Sequence, residues 1–562
     1  VRFRGRFLYS PSDPVGAVEK RITGRGYPER TLYIFPSPLL FHGIDLLLER
    51  IDENSHVLCV ETDQTLMAFS APYFLSALEA DSRISYIRSD SVSGLLSHLR
   101  GLNPRRFRRT VLLPLTGGYS LDPKRYTGMA EAAEAEISRL WQDTMTRSHM
   151  GRRWIRNIFT NLFFHTPAND FLPVIRKPVA VAGAGESLES SLPMIGSIRN
   201  GVWLLAVDTA LPVLLSAGIV PDAVCAVEAQ QANVYDFLAP SGYPDGREPS
   251  APLLLCDLSS YPGIIRTAGK GKGPGGRGGE AGGRERVIYF FSAFEPLKIF
   301  DRLGEYGLLP PEVPPLGSIG ITSLYLASLI TSGPVVYTGL DFAYTPGKTH
   351  ARGAPPHTAL LSSSDRLTGH TQYPTTALRP WIRTAGRNDG SVNTDYVLYS
   401  YATKLTGFVE NNDRFVDIGC RGVRHPGRTA KSAEEVRAVI EETGRHEGPG
   451  LGGGDRTVRG PSGPSTGFPE TVCRRTRAAE FLRNEYALLE RVMEIGRRYL
   501  TADQGPEAAH QVRRVLEEAD YLYLHFPDPP PLPLEDPNFV KRVLLSAEEY
   551  LYRLRPLIPL PS

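Results

Sequence analysis

Four short apolar runs in the middle of the chain each stop on a glycine turn or a carboxylate, and that pattern calls for a buried parallel α/β sheet. They are PVAVAGAGES, WLLAVD, AVCAVE and VVYTGLD. The first, residues 179–182, passes through Gly183, Ala184 and Gly185 into Glu186 and Ser187 at a helix start. The others end on Asp208, Glu228 and Asp341. In an open α/β sheet ligands gather beyond the carboxyl ends of the strands, so these residues are expected on one rim.

A chain of 562 residues suggests three or four folding units at about 150 residues each. With 41% hydrophobic and 22% charged residues it has apolar surface enough for real cores. The net charge of +2 argues against nucleic-acid binding driven by overall charge, so any anion site must be local. No run reaches the 18 or so apolar residues of a membrane span, and the expectation is a cytoplasmic protein without one. The five cysteines lie far apart with no CxxC or Cys/His metal spacing and read as inert, mostly buried thiols, so no metal ligands are assigned.

Residues 1–30 read as a basic, irregular N-terminus. Residues 31–150 read as a Rossmann-like domain, since TLYIF, a helical stretch and HVLCVETD make a βαβ unit. Its second strand ends at Glu61 and Asp63, where a ribose-binding carboxylate would stand. FPSPLLFHG lacks the glycine turn, however, so a non-binding domain is expected. Residues 165–427 form a central doubly wound α/β domain, reached through a helical bridge over 124–165. Two Gly-rich stretches interrupt the chain: 268–286, with 9 Gly in 19 residues, and the linker 446–470, with 12 Gly or Pro in 25. Within the first, GKGPGG matches GxGxxG in letters only, because no strand leads into it and no helix follows. Residues 471–562 carry helical apolar stripes and read as a C-terminal α-helical bundle.

The chemistry is expected where strands meet helices. Gly183 and Gly185 permit a tight turn whose exposed amides suit a phosphate, and Ser187 either caps the new helix or donates to that phosphate. Asp208 and Thr209 are either an N-cap or ligand contacts, and Asp222 either turn chemistry or a ligand contact. A second anion site is expected at the helix starting near Ser318 and Thr322, facing the first across one cleft. Asp341 or Glu228 would serve as a general base. His350 is either a plain loop histidine or a donor to a leaving phosphate. Tyr344, Asn393 and Tyr401 are weaker candidates for ligand contacts.

GAGESL, AVDTALPVLLSAGIVPD and PPLGSIGITSLYLASLITSGPVVYTGLDFAYTPGKTHARG resemble the motility accessory factor family, whose domain is similar to archaeal 6-hydroxymethylpterin diphosphokinase. TDYVLYSYATKLTGFVENNDRFVDIGCRGVRHPG resembles the end of that family's catalytic domain, and the likeness runs over about residues 32–427. The resemblance implies a glycosyltransferase-like central domain. It would move a nonulosonic, sialic-acid-like sugar from a CMP donor to Ser or Thr of a flagellar or envelope protein. It names no certain cofactor and leaves room for Mg2+. Glu186 departs from the family's proline, and AVEAQQ offers a single Glu228 where the pterin kinases carry an Asp-rich metal element, which argues against diphosphate transfer. A diphosphokinase and a non-catalytic scaffold of the same fold are the alternatives.

Overall fold

A computed structural model describes the chain except residues 79–80, 165–170, 239–251, 269–286, 346–347, 368–380, 389, 443–472, 502–504, 529–531 and 559–562. All but the first residue of the Gly-rich insertion 268–286, and the whole of the linker 446–470, therefore lie outside the described residues. The architecture is mixed α/β, with sheet and helix alternating from the N-terminus and a helical bundle at the C-terminal end. Two units divide the chain: 1–151 with 524–534, and 152–523 with 535–562. The division falls inside the long helix Pro123–Phe164.

The first unit opens with a hairpin of β1 (Arg2–Phe3) and β2 (Arg6–Phe7), then a helix, Pro14–Thr23. The N-terminus is thus not irregular. Asp13 accepts the Gly16 N–H at 2.9 Å, Pro14 occupies the first turn, and Val18 and Ile22 lie one turn apart on the buried face. Strands β3 (Thr31–Pro36), β4 (His56–Glu61), β5 (Ile84–Arg88) and β6 (Arg109–Leu112) form an all-parallel sheet in the order β5-β4-β3-β6. Every residue of β3 and β4 is buried, as expected of strands covered on both faces.

Glu61 ends β4 fully buried and committed to protein donors. Ser37 Oγ donates to it at 2.6 Å, Tyr126 Oη at 3.2 Å, and the N–H groups of Thr62 and Asp63 at 2.9 and 3.1 Å. Asp63 pairs with Arg4 at 2.9 Å. The turn after β3 carries Ser37, Leu39 and Phe41 at left-handed φ and buries all three side chains.

The second unit is built on a nine-stranded sheet whose pairings are all parallel. Its strands are β7 (Val179–Ala182), β8 (Trp203–Val207), β9 (Ala223–Ala226), β10 (Leu253–Asp257), β11 (Val287–Ser292), β12 (Glu312–Val313) and β13 (Val335–Thr338). A separate antiparallel hairpin, β14 (Ile382–Ala385) and β15 (Ser391–Thr394), precedes β16 (Phe415–Asp417) and β17 (Arg428–Thr429). The order β12-β11-β10-β9-β8-β7-β13-β16-β17 runs outward from β7 in one direction, then returns to its other side. The order reverses between β7 and β13, which makes the gap beyond their carboxyl ends the topological switch point.

The helices Arg474–Thr501, Pro506–Glu518 and Pro537–Leu554 make the bundle. A buried charge sits in it. Glu485, 2% exposed, takes Arg302 on both oxygens at 2.5 and 3.0 Å and the Tyr521 hydroxyl at 3.0 Å.

Candidate functional site

At the switch point the hydrogen-bonding of β7 with β13 continues past the strand ends. The Gly183 N–H donates to Thr338 O and the Gly185 N–H to Gly339 O, both at 2.8 Å. The two amides expected to be bare for an anion are therefore used by the end of β13 and the turn after it, which corrects that expectation. The glycines serve close approach instead. A Cβ on Gly183 would stand 2.4 Å from Gly339 O, and one on Gly339 would stand 2.0 Å from Gly183 O. Gly339 also has φ +71°, which favours glycine. Gly339→Ala is accordingly expected to destabilise the second unit by about 1–3 kcal/mol, read as a lowered denaturation midpoint. An unchanged midpoint would show that this crossing can relax.

Nor do two anion sites face each other here. The Leu340 side chain, 4% exposed, lies against both Gly183 and the helix Ile319–Ile330, where a Cβ on Gly320 would meet Leu340 Cδ2 at 2.4 Å. Leucine fills the space between the two turns. Ser318 makes no side-chain cap to its helix, Thr322 is buried, and neither residue lines the cleft beside Asp341.

Asp341 takes over the N-terminus of the helix Ser187–Ile198. The Ser187 N–H donates to Oδ2 at 2.8 Å, Ser187 Oγ donates to Oδ1, and the Gly339 N–H donates to Ser187 Oγ at 3.1 Å. Ser187 is thus held by Asp341 and its own turn. Burial pushes the Asp341 carboxyl above the usual range, opposed by Arg387 and by the Ser187 hydrogen bonds. Arg387 stands beside it, only 7% exposed. Its Nη2 donates to Leu340 O at 2.8 Å, and its Nε lies 3.0 Å from Asp417 Oδ2. Nη1 has no hydrogen-bond partner, Asp341 Oδ1 being 3.6 Å away. Asp417 is fully buried and also binds His425 Nε2 at 2.8 Å.

Over this row of charges lies a cleft of about 220 Å³. One wall comes from the loops after β7 and β13, with Glu186, Asp341, Tyr344 and Thr345; the other comes from the β14–β15 hairpin and the loop after β16, with Arg387, Asn388 and Arg421. The hairpin is fastened by bridges from Tyr344 to Asn393 and from Gly386 to Val423. The Tyr344 hydroxyl donates to Asp395 Oδ2 at 2.8 Å. Tyr401 packs against Gly317 and Phe342 behind this wall.

The remaining candidates stand apart from the cleft. Asp208 and Glu228 follow β8 and β9 at the same sheet edge, but at about 4.8 Å per strand Glu228 is roughly 14 Å from the end of β13. Glu228 accepts the Gln230 N–H at 2.9 Å. Asp208, pushed up to about 7 by burial and by nearby Asp236, accepts from Asn233 Nδ2 at 2.8 Å and from the N–H and hydroxyl of Thr209. Asp222 precedes β9, which puts it at the opposite edge of the sheet and corrects its place among the ligand contacts. There it accepts the Leu204 N–H at 2.7 Å and pairs with Arg199 at 3.0 Å. His350 is held down at about 4 by burial and by His357, which keeps it neutral, and its Nδ1 meets Thr349 Oγ1 at 3.0 Å. Among the described residues no three of His, Cys, Asp or Glu gather as a metal site.

Sequence reasoning missed Arg387, Asn388, Asp417 and Arg421. Asp417 had a signal, since FVDIG repeats the strand-then-carboxylate pattern of the other runs. The arginines had none, because arginine on a loop is ordinarily solvated.

Superposition on the MAf glycosyltransferase from Magnetospirillum magneticum AMB-1 gives a TM-score of 0.51, covering 98% of this chain and 85% of that one at 13% identity. The chain is similar in fold to that enzyme. Residues 152–347 are homologous to the family described as 6-hydroxymethylpterin diphosphokinase MptE-like. An uncharacterized protein of Treponema pallidum (strain Nichols) is 27% identical over 98% of this chain and 92% of its own length. A second protein of that strain is 31% identical over 20% of this chain and 57% of its own. Arg387, Asn388 and Arg421 fall outside the MptE-like match.

Proposed function

We propose that the chain is a glycosyltransferase that uses a CMP-activated nonulosonic sugar and modifies Ser or Thr of a flagellar or envelope protein. The observation that carries this reading is the cleft at the switch point, where Arg387 and Arg421 face the Asp341 turn. The arginines would neutralise the donor phosphate and the charge that grows on it as it leaves. Asp341 has a lone pair left on each oxygen after serving Ser187, and its raised affinity for protons suits a base. The acceptor hydroxyl gives its proton to Asp341, its oxygen bonds to the anomeric carbon, and the sugar–phosphate bond breaks with its electron pair leaving on CMP. Among the described residues no helix is long and apolar enough to cross a membrane. With a nucleotide-sugar donor, we place the reaction in the cytoplasm.

Incubation with a CMP-nonulosonate and an acceptor protein should release CMP and add one sugar mass to the acceptor. Arg421 is 56% exposed, so its replacement should spare the fold. Arg421→Gln is expected to raise the KM for the donor about tenfold with the melting temperature unchanged. No CMP release and no mass increase would sink the proposal.

The MptE-like match supports a second reading, a diphosphokinase. It predicts AMP formation from ATP and Mg2+ in place of CMP release. The basic wall of the cleft lies outside the matched residues, which is why the transferase is preferred.

A further inference from the structure

Glu186 is seated in the cleft as a bound ligand would be. It stands immediately before the helix Ser187–Ile198 yet makes no capping bond to it, and the Leu188 and Glu189 N–H groups that it could cap go to the carbonyls of Gly185 and Glu186. Its carboxylate reaches across to other loops instead. Thr345 Oγ1 donates to Oε2, Arg421 Nη1 donates to Oε1 at 2.8 Å, and Lys348 Nζ lies 3.5 Å from Oε1. A hydroxyl, an ammonium and a guanidinium from the segments after β13 and β16 thus converge on one carboxylate, which is the donor set of an oxyanion site. Lys348 also pairs with Glu189 at 2.6 Å.

A second observation points the same way. Arg387 lines the same cleft with its side chain 7% exposed and its Nη1 3.6 Å from Asp341 Oδ1 without a hydrogen bond, so a second guanidinium adds positive charge beside this carboxylate. The carboxylate that these donors hold, on Glu186, is 19% exposed.

We infer that Thr345, Lys348 and Arg421 form an oxyanion subsite occupied at rest by Glu186, whose place is taken on binding by a carboxylate or phosphate of the ligand. The inference rests on the same cleft as the proposed transferase and makes Glu186 a resident competitor. Any anion that enters must displace it, so its negative charge weakens binding.

Titration calorimetry on the full chain, with CMP and with free N-acetylneuraminate as separate probes, tests this. Glu186→Gln is expected to bind at least one probe about tenfold more tightly than the original protein, because one charge beside the subsite is gone. Glu186→Ala should show the same gain, with thermal melts confirming that both variants fold. Adding Arg421→Gln to Glu186→Gln should abolish it. A gain confined to CMP assigns the subsite to phosphate, and one confined to N-acetylneuraminate assigns it to a carboxylate. If CMP binds all forms equally and N-acetylneuraminate gains nothing, the subsite is overturned while the nucleotide-donor reading survives. If N-acetylneuraminate gains and CMP binds no form, the subsite stands and the CMP reading falls. Binding of neither probe to any form overturns both.

Discussion

Asp341→Ala is expected to lower the stability of the second unit by about 3–5 kcal/mol, because it strips the buried Ser187 N–H and hydroxyl of their acceptor and leaves Arg387 one carboxylate short. Urea denaturation reads this directly. Asp341→Asn separates that role from catalysis. The amide oxygen keeps the acceptor for the Ser187 N–H, while the Ser187 hydroxyl loses its acceptor and must turn to receive the amide NH2 instead. Part of the stability should therefore remain, and a group that no longer takes a proton should reduce sugar transfer about 100-fold or more. Full transfer activity in a folded Asp341→Asn protein would show that Asp341 only holds the turn, and the base would then have to be sought elsewhere in the cleft.

The other large effect lies in the helical bundle. Glu485→Ala is expected to cost about 3–5 kcal/mol, since Arg302 loses both of its bidentate contacts and the fully buried Tyr521 hydroxyl loses its acceptor. The pair itself is not expected to be a large net source of stability. Replacing both charges, Arg302→Met with Glu485→Met, should recover the part of the loss due to the stranded Arg302, because desolvating two ions consumes much of what their attraction supplies, and should leave the part due to the Tyr521 hydroxyl. A double variant as unstable as Glu485→Ala would mean that the pair stabilises the bundle outright. Neither substitution touches the cleft, so donor binding should persist in whatever fraction remains folded.

The parallel sheet was readable because its strands are apolar runs that stop on polar residues, and burial on both faces demands that pattern. The edge on which Asp208, Glu228 and Asp341 sit followed from the same pattern. What could not be read was which strands become neighbours. Glu228 and Asp341 look equivalent in sequence, yet three strand spacings part them, since β7 and β8 intervene. The glycines at 183 and 185 carry the letters of a phosphate turn, but their amides go to Thr338 and Gly339 because β13 docks there from far along the chain. Leu340 is similarly opaque, being a leucine in a loop until two helix ends close on it. The segment 1–30 looked irregular because its helix is short and its apolar residues few, whereas Leu8, Tyr9, Val18 and Ile22 all enter the core. For Asp222 the turn reading is the one the structure supports, since it stands just before β9 and accepts the Leu204 N–H.

β7 and β13 are partners in the sheet although the whole of β8 to β12 lies between them in the chain. During synthesis the first half of the cleft therefore emerges long before the second, and Glu186 waits without Thr345, Lys348 or Arg421 until the last strands arrive. A nascent chain halted after β12 would hold much of a folded sheet and no binding site, so the ability to bind an anion at this cleft should report completion of the fold rather than its beginning.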